Sequence, residues 1–462
     1  MNRPGANTII LVLCAAAVSA VLLQTVVMPL IPDLPAILGT DLAGASWVLT
    51  ATLLTGAVAH PISGRLSDIF GKRRMLMVCL AVVTVGAAVS ALSSTLVPMV
   101  IGRALQGLGM GIVPIGLALM RELLPPHRLQ AGAGTLSATM GFGGALALPI
   151  SAAALLYVHW SWLFWFAALQ SVACMVLVTR VIPPDRNLDR AGRMDVPWAI
   201  GFALGAVALL IVITQGPSWG WLSPRVLGLL IGGLVVLAIW LIYEWRVRDP
   251  LVDLRLSLTP AVFWANVTGF AMGYGMFVSN LVFPILITAP TASGYGLGLS
   301  VAHIGLLLMP GGIAMMLTGP MSGKVSRRVG ARTTLQIGSA FVAVGYALAL
   351  ILDGPAKIVG SMVVANIGFG LSYAALPLII MAGVPDARTG AANGLNALMR
   401  TVGLTVSGAV TAMILSLDRV IIDGADHATD SVVTFALITA VVAAAACLLF
   451  AFGIPRRPVT ER

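Results

Sequence analysis

The sequence predicts an all-α membrane protein with fourteen transmembrane helices. Of its 462 residues, 59% are hydrophobic and only 10% are charged, whereas a soluble domain carries about 25% charged residues. Lipid offers no hydrogen bonds, so backbone groups inside a membrane must be satisfied within helices or a closed barrel. The apolar runs are continuous and roughly 20 residues long, which indicates helices rather than alternating barrel strands.

Short polar or charged loops separate the predicted spans. The spans cover residues 8–31, 44–63, 75–93, 96–119, 131–157, 160–182, 196–215, 225–244, 260–287, 301–321, 333–352, 356–382, 390–416 and 431–453. The first run lacks a small-residue cleavage site and is followed by many further spans. It is therefore predicted to be the first helix rather than a removed signal.

The Lys and Arg residues are concentrated in alternate loops and at both termini. Of the 27, only Arg225, Lys357 and Arg419 lie in the opposite loops, while Arg103 and Arg400 lie inside spans. Because cytoplasmic loops carry the excess of cations, we expect a multi-pass protein of the inner (plasma) membrane with both termini in the cytoplasm. The net charge of +10 then reflects topology, and no nucleic-acid partner is expected.

A charged motif occurs twice, 259 residues apart. Residues 63–74 and 322–330 share a Ser-Gly-cation-aliphatic-Ser opening, and at the same offset Gly109 matches Gly368 and Pro126 matches Pro385. Many secondary transporters are built from such duplicated halves. The predicted organisation is a six-helix bundle over residues 1–182, linkers with two extra helices over 183–259, and a second, pseudo-symmetric six-helix bundle over 260–462.

The first copy of the motif resembles the loop signature of the major facilitator superfamily, in which an Asp and several cations form a latch that helps hold one conformation. A basic loop is also what membrane topology alone would produce. The residues to which the resemblance assigns the latch are Gly64, Arg65, Asp68, Gly71, Lys72, Arg73 and Arg74.

The middle of the chain resembles the fourteen-helix drug:proton antiporter branch of that superfamily. The similar stretches are residues 195–198, 215–221, 249–256 and 293–300, and the resemblance extends from about Leu22 to Val410. It implies a secondary active exporter that moves hydrophobic small molecules out of the cell by alternating access, in exchange for protons. It also implies a monomer that needs no cofactor.

Proton coupling is the least defined part of this resemblance. Arg103 lies in a run similar to the family's second motif, where the Arg is associated with coupling and with a facing carboxylate; the alternative is an Arg that caps helix carbonyls. The branch usually has an Asp where this chain has Leu23, and no span contains an acid at mid-membrane. The remaining candidates are Asp33 at the end of the first span and His60, which titrates near neutral pH; both could be structural or solvated instead.

The fifth predicted span resembles the family's antiporter motif, a series of glycines that ends near a proline. Gly141, Gly144 and Pro149 match it, but the closing glycines are replaced by Ala152 and Ala153. Small residues allow helices to approach closely, so a packed helix seam explains the pattern equally well.

Polar or adaptable residues inside the spans are candidates for the lining of a substrate cavity, because such residues must face the bundle interior or a cavity. Asn393, Asn396 and Arg400 share one helix face. The full set is Gln24, Gln106, Asn266, Tyr274, Asn280, Asn366, Tyr373, Asn393, Asn396 and Arg400.

Other functions remain as alternatives to a proton-coupled drug exporter. One is an exporter of neutral or anionic amphiphiles that uses no helix-1 acid; a channel or a scaffold is a further one. The sequence disfavours an enzyme, because it has no P-loop, no metal-spaced histidines and no Ser-His or paired-carboxylate array at membrane depth. The four cysteines have no disulfide or metal spacing.

Overall fold

The structure is a computed structural model. It describes residues 5–25, 27, 30, 33–142, 147, 150, 151, 154, 155, 157–185, 195–247, 250–300, 302–351, 353–422 and 425–455.

The described residues form seventeen α-helices and one antiparallel hairpin. The helices are α1 (Ala6–Thr25), α2 (Leu34–Leu38), α3 (Leu42–Phe70), α4 (Lys72–Leu92), α5 (Leu96–Leu108), α6 (Ile112–Leu123), α7 (Pro126–Phe142), α8 (Ser161–Val181), α9 (Val196–Trp219), α10 (Pro224–Arg246), α11 (Leu254–Ser257), α12 (Pro260–Thr288), α13 (Ala302–Val329), α14 (Ala331–Ile351), α15 (Gly354–Gly383), α16 (Thr389–Leu415) and α17 (Asp430–Gly453). The hairpin consists of β1 (Arg419–Ile422) and β2 (Ala425–Ala428).

The prediction of fourteen transmembrane helices is wrong. Within the described residues, twelve helices are long and apolar enough to cross a membrane: α3, α4, the continuous α5–α6 unit, α8 to α10 and α12 to α17. The predicted spans that fail are 8–31 and 131–157. The apolar described stretch of α1 is Ala6–Leu22, and α7 has 17 residues, Pro126–Phe142, whereas a span needs about 20 apolar residues.

The long helices run back and forth between two ends of the molecule. We call the end where α3 meets α4 the latch end, and the end that carries β1 and β2 the hairpin end. The hydroxyl of Tyr295, in the segment after α12, donates to the carbonyl of Ala428 over 2.8 Å, which attaches the hairpin to its neighbours. We refer to α1–α8 as the N-terminal set, α9–α10 as the middle pair and α12–α17 as the C-terminal set.

Two seams join the N-terminal set to the C-terminal set. In the first, α3 lies against α16: a Cβ atom built on Gly390 would stand 2.6 Å from the carbonyl oxygen of Gly64. In the second, α7 lies against α13: a Cβ on Gly319 would stand 2.7 Å from the carbonyl oxygen of Gly134. Helices in lipid associate by close packing of small residues, so these glycines set the distance between the two sets.

The two sets share details of their internal packing at the 259-residue offset. A Cβ on Gly109 would stand 2.9 Å from the carbonyl oxygen of Cys79, and one on Gly368 would stand 2.4 Å from that of Gly338. Both members of the second contact lie 259 residues after those of the first. The division at residues 182 and 259 stays a prediction.

We predict that Gly64→Leu destabilises the protein more than Gly228→Leu does. The leucine at position 64 would overlap the backbone of α16, and overpacking costs about 1–3 kcal/mol. Gly228 is a matched control in α10, because a Cβ there has no heavy atom within 4 Å. Thermal unfolding in detergent should show a Tm several degrees lower for the first variant. Equal Tm values would contradict the close seam.

Candidate functional site

Asp68 connects α3 to α16 at the latch end. Its side chain is only 8% exposed, and its carboxylate accepts hydrogen bonds from the backbone N–H groups of Gly390 (3.2 Å) and Ala391 (3.0 Å). The first turn of a helix has unsatisfied N–H groups and a partial positive charge. A carboxylate of the N-terminal set therefore caps a helix of the C-terminal set.

Two of the cations after Asp68 form contacts within the N-terminal set. Lys72 forms an ion pair with Glu122 at 2.9 Å, and the guanidinium of Arg73 donates to the carbonyl of Thr179 over 2.8 Å. These contacts tie α4 to α6 and α8, all within the N-terminal set. The exposed side chain of Arg74 has no bond to the C-terminal set among the described residues.

Gly71 allows a tight connection between α3 and α4. It has a φ of 100°, and a Cβ there would overlap the carboxylate of Asp185. That carboxylate accepts from the backbone N–H groups of Arg73 (2.9 Å) and Arg74 (3.2 Å). Asp185 thus caps the start of α4, and glycine is required where the two meet.

Arg65 faces the middle pair. It is 7% exposed and lines a small cavity with Asp195, Tyr243 and Glu244. The Tyr243 hydroxyl donates to the Asp195 carboxylate, and the Glu244 carboxylate accepts from the backbone N–H of Val252 over 2.6 Å. The latch sequence therefore contacts α9, α10 and the segment that follows them.

A second charged contact anchors that segment to the C-terminal set. Asp253 accepts from the backbone N–H of Leu256 over 3.0 Å, which caps α11. It also forms an ion pair with Arg388, the residue directly before α16. The start of α16 is thus bound from the side of the middle pair as well as from α3.

The sequence analysis missed Arg121 at the end of α6. Its guanidinium donates to the hydroxyl of Thr389 (2.8 Å) and the carbonyl of Val384 (3.1 Å), and it pairs with Asp386 at 2.6 Å. All three partners lie at or just before the start of α16. A cation at the end of a span looks like any other topological charge in the sequence, so only its position in space reveals this contact.

Arg103 is a buried residue with structural partners. Its side chain is 1% exposed. Its Nε donates to the carbonyl of Val48 in α3 (3.1 Å), and its Nη1 donates to Gln106 Oε1 (2.6 Å). Gln106 in turn donates to Ser90 over 3.2 Å. These bonds link α5 to α3 and α4, while the predicted partner Asp33 lies exposed just before α2.

His60 lies at the α3–α16 seam. It is 7% exposed, and its Nδ1 has no hydrogen-bond partner among the described residues. Its carbonyl adjoins Gly394 of α16. The imidazole is thus located between the N-terminal and C-terminal sets.

Only part of the predicted antiporter motif is described. Gly141 is buried in the α7–α13 seam, where a Cβ would stand 2.8 Å from the carbonyl oxygen of Gly312. Gly144, Pro149 and the side chain of Gln24 lie outside the described residues.

Several predicted cavity residues bond within the C-terminal set. Asn396 donates from Nδ2 to the carbonyl of Ala265 (3.1 Å) and to Asn266 Oδ1 (3.2 Å). Asn393 and Asn366 donate to carbonyls one turn earlier in their own helices. Tyr274 is half-buried and Asn280 is exposed. These amides are satisfied by helix contacts, which leaves few of them free for a ligand.

Arg400 and Tyr373 form the most distinctive interior group. The guanidinium carbon of Arg400 lies 5.0 Å from the centre of the Tyr373 ring, within the range of a cation–π interaction. The Tyr373 hydroxyl contacts the Met276 sulfur over 3.2 Å, and the ring stacks on Phe369 at 5.8 Å. Arg400 makes no ion pair among the described residues. This cluster of aromatic rings, sulfur and cation lies where α12, α15 and α16 meet.

A family model described as Major Facilitator Superfamily matches residues 13–408. An uncharacterized MFS-type transporter of Mycobacterium tuberculosis (strain ATCC 25618 / H37Rv) is 29% identical over 368 residues, which cover 77% of this chain and 52% of the relative. The chain thus spans about half the length of that relative. The multidrug transporter protein MdtP of Bacillus subtilis (strain 168) is 24% identical over 389 residues, which cover 82% of this chain and 70% of MdtP.

The fold is also similar to that of a solved structure. The proton:xylose symporter XylE, bound to 6-bromo-6-deoxy-D-glucose, aligns with a TM-score of 0.70 over 97% of this chain and 96% of that chain. The sequence identity is 15%, so the likeness concerns the fold alone.

We predict that Asp68→Asn opens the latch end. Hydrogen bonds to charged groups contribute about 1.5–3 kcal/mol, which corresponds to roughly a tenfold or larger change in an equilibrium. The readout is the labelling rate of Ala392→Cys, which lines the latch-end cavity beside Arg388, with a membrane-impermeant maleimide. The rate should rise about tenfold.

The matched control is Asp41→Asn. Asp41 also caps a helix, accepting from Gly44 N over 2.7 Å, but it does so within α3 at the hairpin end. That variant should leave the labelling rate unchanged. A rate that is equally low in both variants would exclude Asp68 as the closing contact.

Proposed function

Because the chain belongs to the major facilitator superfamily of membrane transporters, we propose that it exports hydrophobic small molecules by alternating access between its N-terminal and C-terminal sets. The observation that carries the proposal is the latch-end contact. Asp68 and Arg121, from two different helices of the N-terminal set, both bind the start of α16. Contacts of this kind hold one end of a transporter closed and must break before it can open.

Lipophilic cargo is supported by the interior group around Tyr373. Its aromatic rings and the Met276 thioether offer adaptable apolar contacts, which suit ligands of varied shape. The name of the MdtP relative supports a multidrug type of cargo at 24% identity. The family and the fold identify a transporter rather than an enzyme.

Proton exchange is the driving reaction that we propose. His60 and Asp33 are the two candidate carriers, and the positions of both bear on the choice. His60 is buried at a seam between the two sets, so a conformational change can expose it to one side and then to the other. Asp33 is exposed at the start of a short helix, away from the seam, which favours His60.

We propose that the protein lies in the plasma membrane with its latch end and both termini in the cytoplasm, as the distribution of cations indicates. We further propose that it works as a monomer in the lipid bilayer, and that residues 1–182 and 260–462 are the moving units.

A second candidate function is the export of neutral or anionic amphiphiles without proton coupling. Arg400 favours it, because this half-buried cation lies over the Tyr373 ring and has no ion pair among the described residues. Buried charge is costly unless paired, so an anionic group of the cargo would be bound favourably here, and a cationic drug would be repelled.

We predict that transport of a lipophilic dye drives protons in the opposite direction. In proteoliposomes with an internal pH dye, an imposed dye gradient should produce proton flux in the wild type and in Asp33→Asn. His60→Gln should reduce that flux at least tenfold. His159→Gln is the matched control, since His159 is exposed near the hairpin end and contacts its chain neighbours Trp160 and Ser161.

Proton flux lost in Asp33→Asn and kept in His60→Gln would assign the carrier to Asp33 instead. Saturable dye transport without any proton movement would reject proton exchange and favour the second candidate. Ion leakage that does not saturate would reject a transporter mechanism altogether.

We predict that Arg400→Gln separates the two candidate cargo classes. If Arg400 binds an anion, the variant should lose at least tenfold in affinity for an anionic dye such as an anilinonaphthalene sulfonate. Its affinity for the neutral phenylnaphthylamine, which lacks the sulfonate, should stay the same. Equal effects on both dyes would restrict Arg400 to a structural role.

A further inference from the structure

The two seams differ in what covers them. Along α3–α16, one buried apolar cluster contains Val58 of α3, Phe202 and Leu210 of α9, Trp240 of α10 and Leu398 of α16. The middle pair therefore lies over this seam on the side away from the molecular centre. Among the described residues, neither helix of the middle pair covers the α7–α13 seam in this way.

Equivalent positions show the effect of that cover. Val58 of α3 is 5% exposed, whereas Leu317 of α13, 259 residues later, is 60% exposed. Ile62 is half-buried, whereas its equivalent Met321 is 55% exposed. Both members of each pair are apolar, and they lie the same number of residues before the matching glycines Gly64 and Gly323. The difference in exposure therefore comes from the middle pair and not from the helices themselves.

Burial against protein instead of lipid gives little hydrophobic gain, because lipid tails are as apolar as the side chains they contact. The cover must therefore be held by specific contacts. The ring of Trp198 stacks on Tyr243 at 3.9 Å, and Phe202 contacts Trp240 at 4.9 Å. At the latch end, Asp253 pairs with Arg388. The two ring contacts join α9 to α10, and the ion pair joins the segment after α10 to the start of α16.

We infer that α9 and α10 form a lateral seal. The seal closes the α3–α16 seam to the bilayer, and lipophilic cargo passes between the bilayer and the interior along the uncovered α7–α13 seam. The inference rests on the proposed export of lipophilic molecules and adds the route that they take. Such cargo is dissolved in the bilayer, so it reaches the interior most directly between two helices of different sets.

The uncovered seam has side chains suited to this passage. Leu317 and Met321 present apolar surface to lipid at its outer edge, and the flexible thioether of Met321 adapts to different shapes. Inside it, Gly134, Gly141 and Gly319 leave backbone and the Cβ atoms of Ala138 and Met315 at the contact between α7 and α13. A seam without interlocking side chains separates with little rearrangement.

The first test compares the lipid accessibility of equivalent positions. Met321→Cys and Ile62→Cys would each be introduced after replacing the four buried native cysteines by Ala. They would then be labelled in proteoliposomes with N-pyrenylmaleimide, which dissolves in the bilayer. Labelling of Met321→Cys should be at least tenfold faster. Equal rates would show that α9 does not shield the α3–α16 seam and would overturn the seal.

The second test removes the cover. Phe202→Ala should raise the labelling rate of Ile62→Cys at least fivefold, while Phe202→Leu, which retains an apolar side chain of similar reach, should leave it low. The labelling of Met321→Cys in the same backgrounds reports whether the protein is still folded. An unchanged rate at Ile62→Cys in folded Phe202→Ala protein would contradict the inference.

The third test concerns the route itself. The pyrenyl group attached at Met321→Cys should block export of a membrane-dissolved dye by at least tenfold. The same group at Leu169→Cys, on the exposed face of α8 away from both seams, should not. Equal export from the two labelled proteins would exclude α7–α13 as the route. Absence of saturable dye transport in the unlabelled wild type would reject the proposed function instead, and the labelling ratios would still decide the seal.

Discussion

The contact between the carboxylate of Asp68 and the first turn of α16 is the interaction on which the other features depend. It places a buried negative charge at the positive end of a helix from the opposite set. It also requires that Gly64 and Gly390 let two backbones touch, since any side chain there would move the carboxylate away from its donors. Arg121 and Asp253 then add contacts to the same short segment. The closed latch end is thus one small cluster around a single helix terminus.

This concentration of contacts suits a molecule that must open. Helix association in lipid gains little from the hydrophobic effect, so the seams are held by close packing and a few polar bonds. Packed glycines separate without unlocking side chains, and the polar bonds at one end decide when they do. The two seams have similar glycine contacts but unequal surroundings, because the middle pair covers only one of them. A duplicated architecture has in this way acquired a sealed side and a lipid-facing side.

The sequence predicted a helical membrane fold, because that depends on local patterns, whereas the latch around Asp68 stays a prediction. Apolar runs of helical length and the motif around Asp68 can be read without knowing any neighbour. The span count was wrong for residues 8–31 and 131–157, because the described helices there are shorter than a membrane crossing needs. The partners of Arg103 and Arg121 were not predictable, because a cation's sequence context does not reveal which carbonyl or helix terminus it meets. The cover over α3–α16 depends on which helices become neighbours, and no periodicity encodes that.

The most direct test of alternating access is a pair of distance distributions measured by electron paramagnetic resonance. Phe70 and Val329 are exposed, lie 259 residues apart and mark the latch end of each set, and Leu92 and Ile351 do the same at the hairpin end. With spin labels at each pair in turn, added lipophilic dye or a change of pH should lengthen the first distance and shorten the second. If both distances stay fixed, or change in the same direction, the two sets do not rock against each other, and alternating access between them is contradicted.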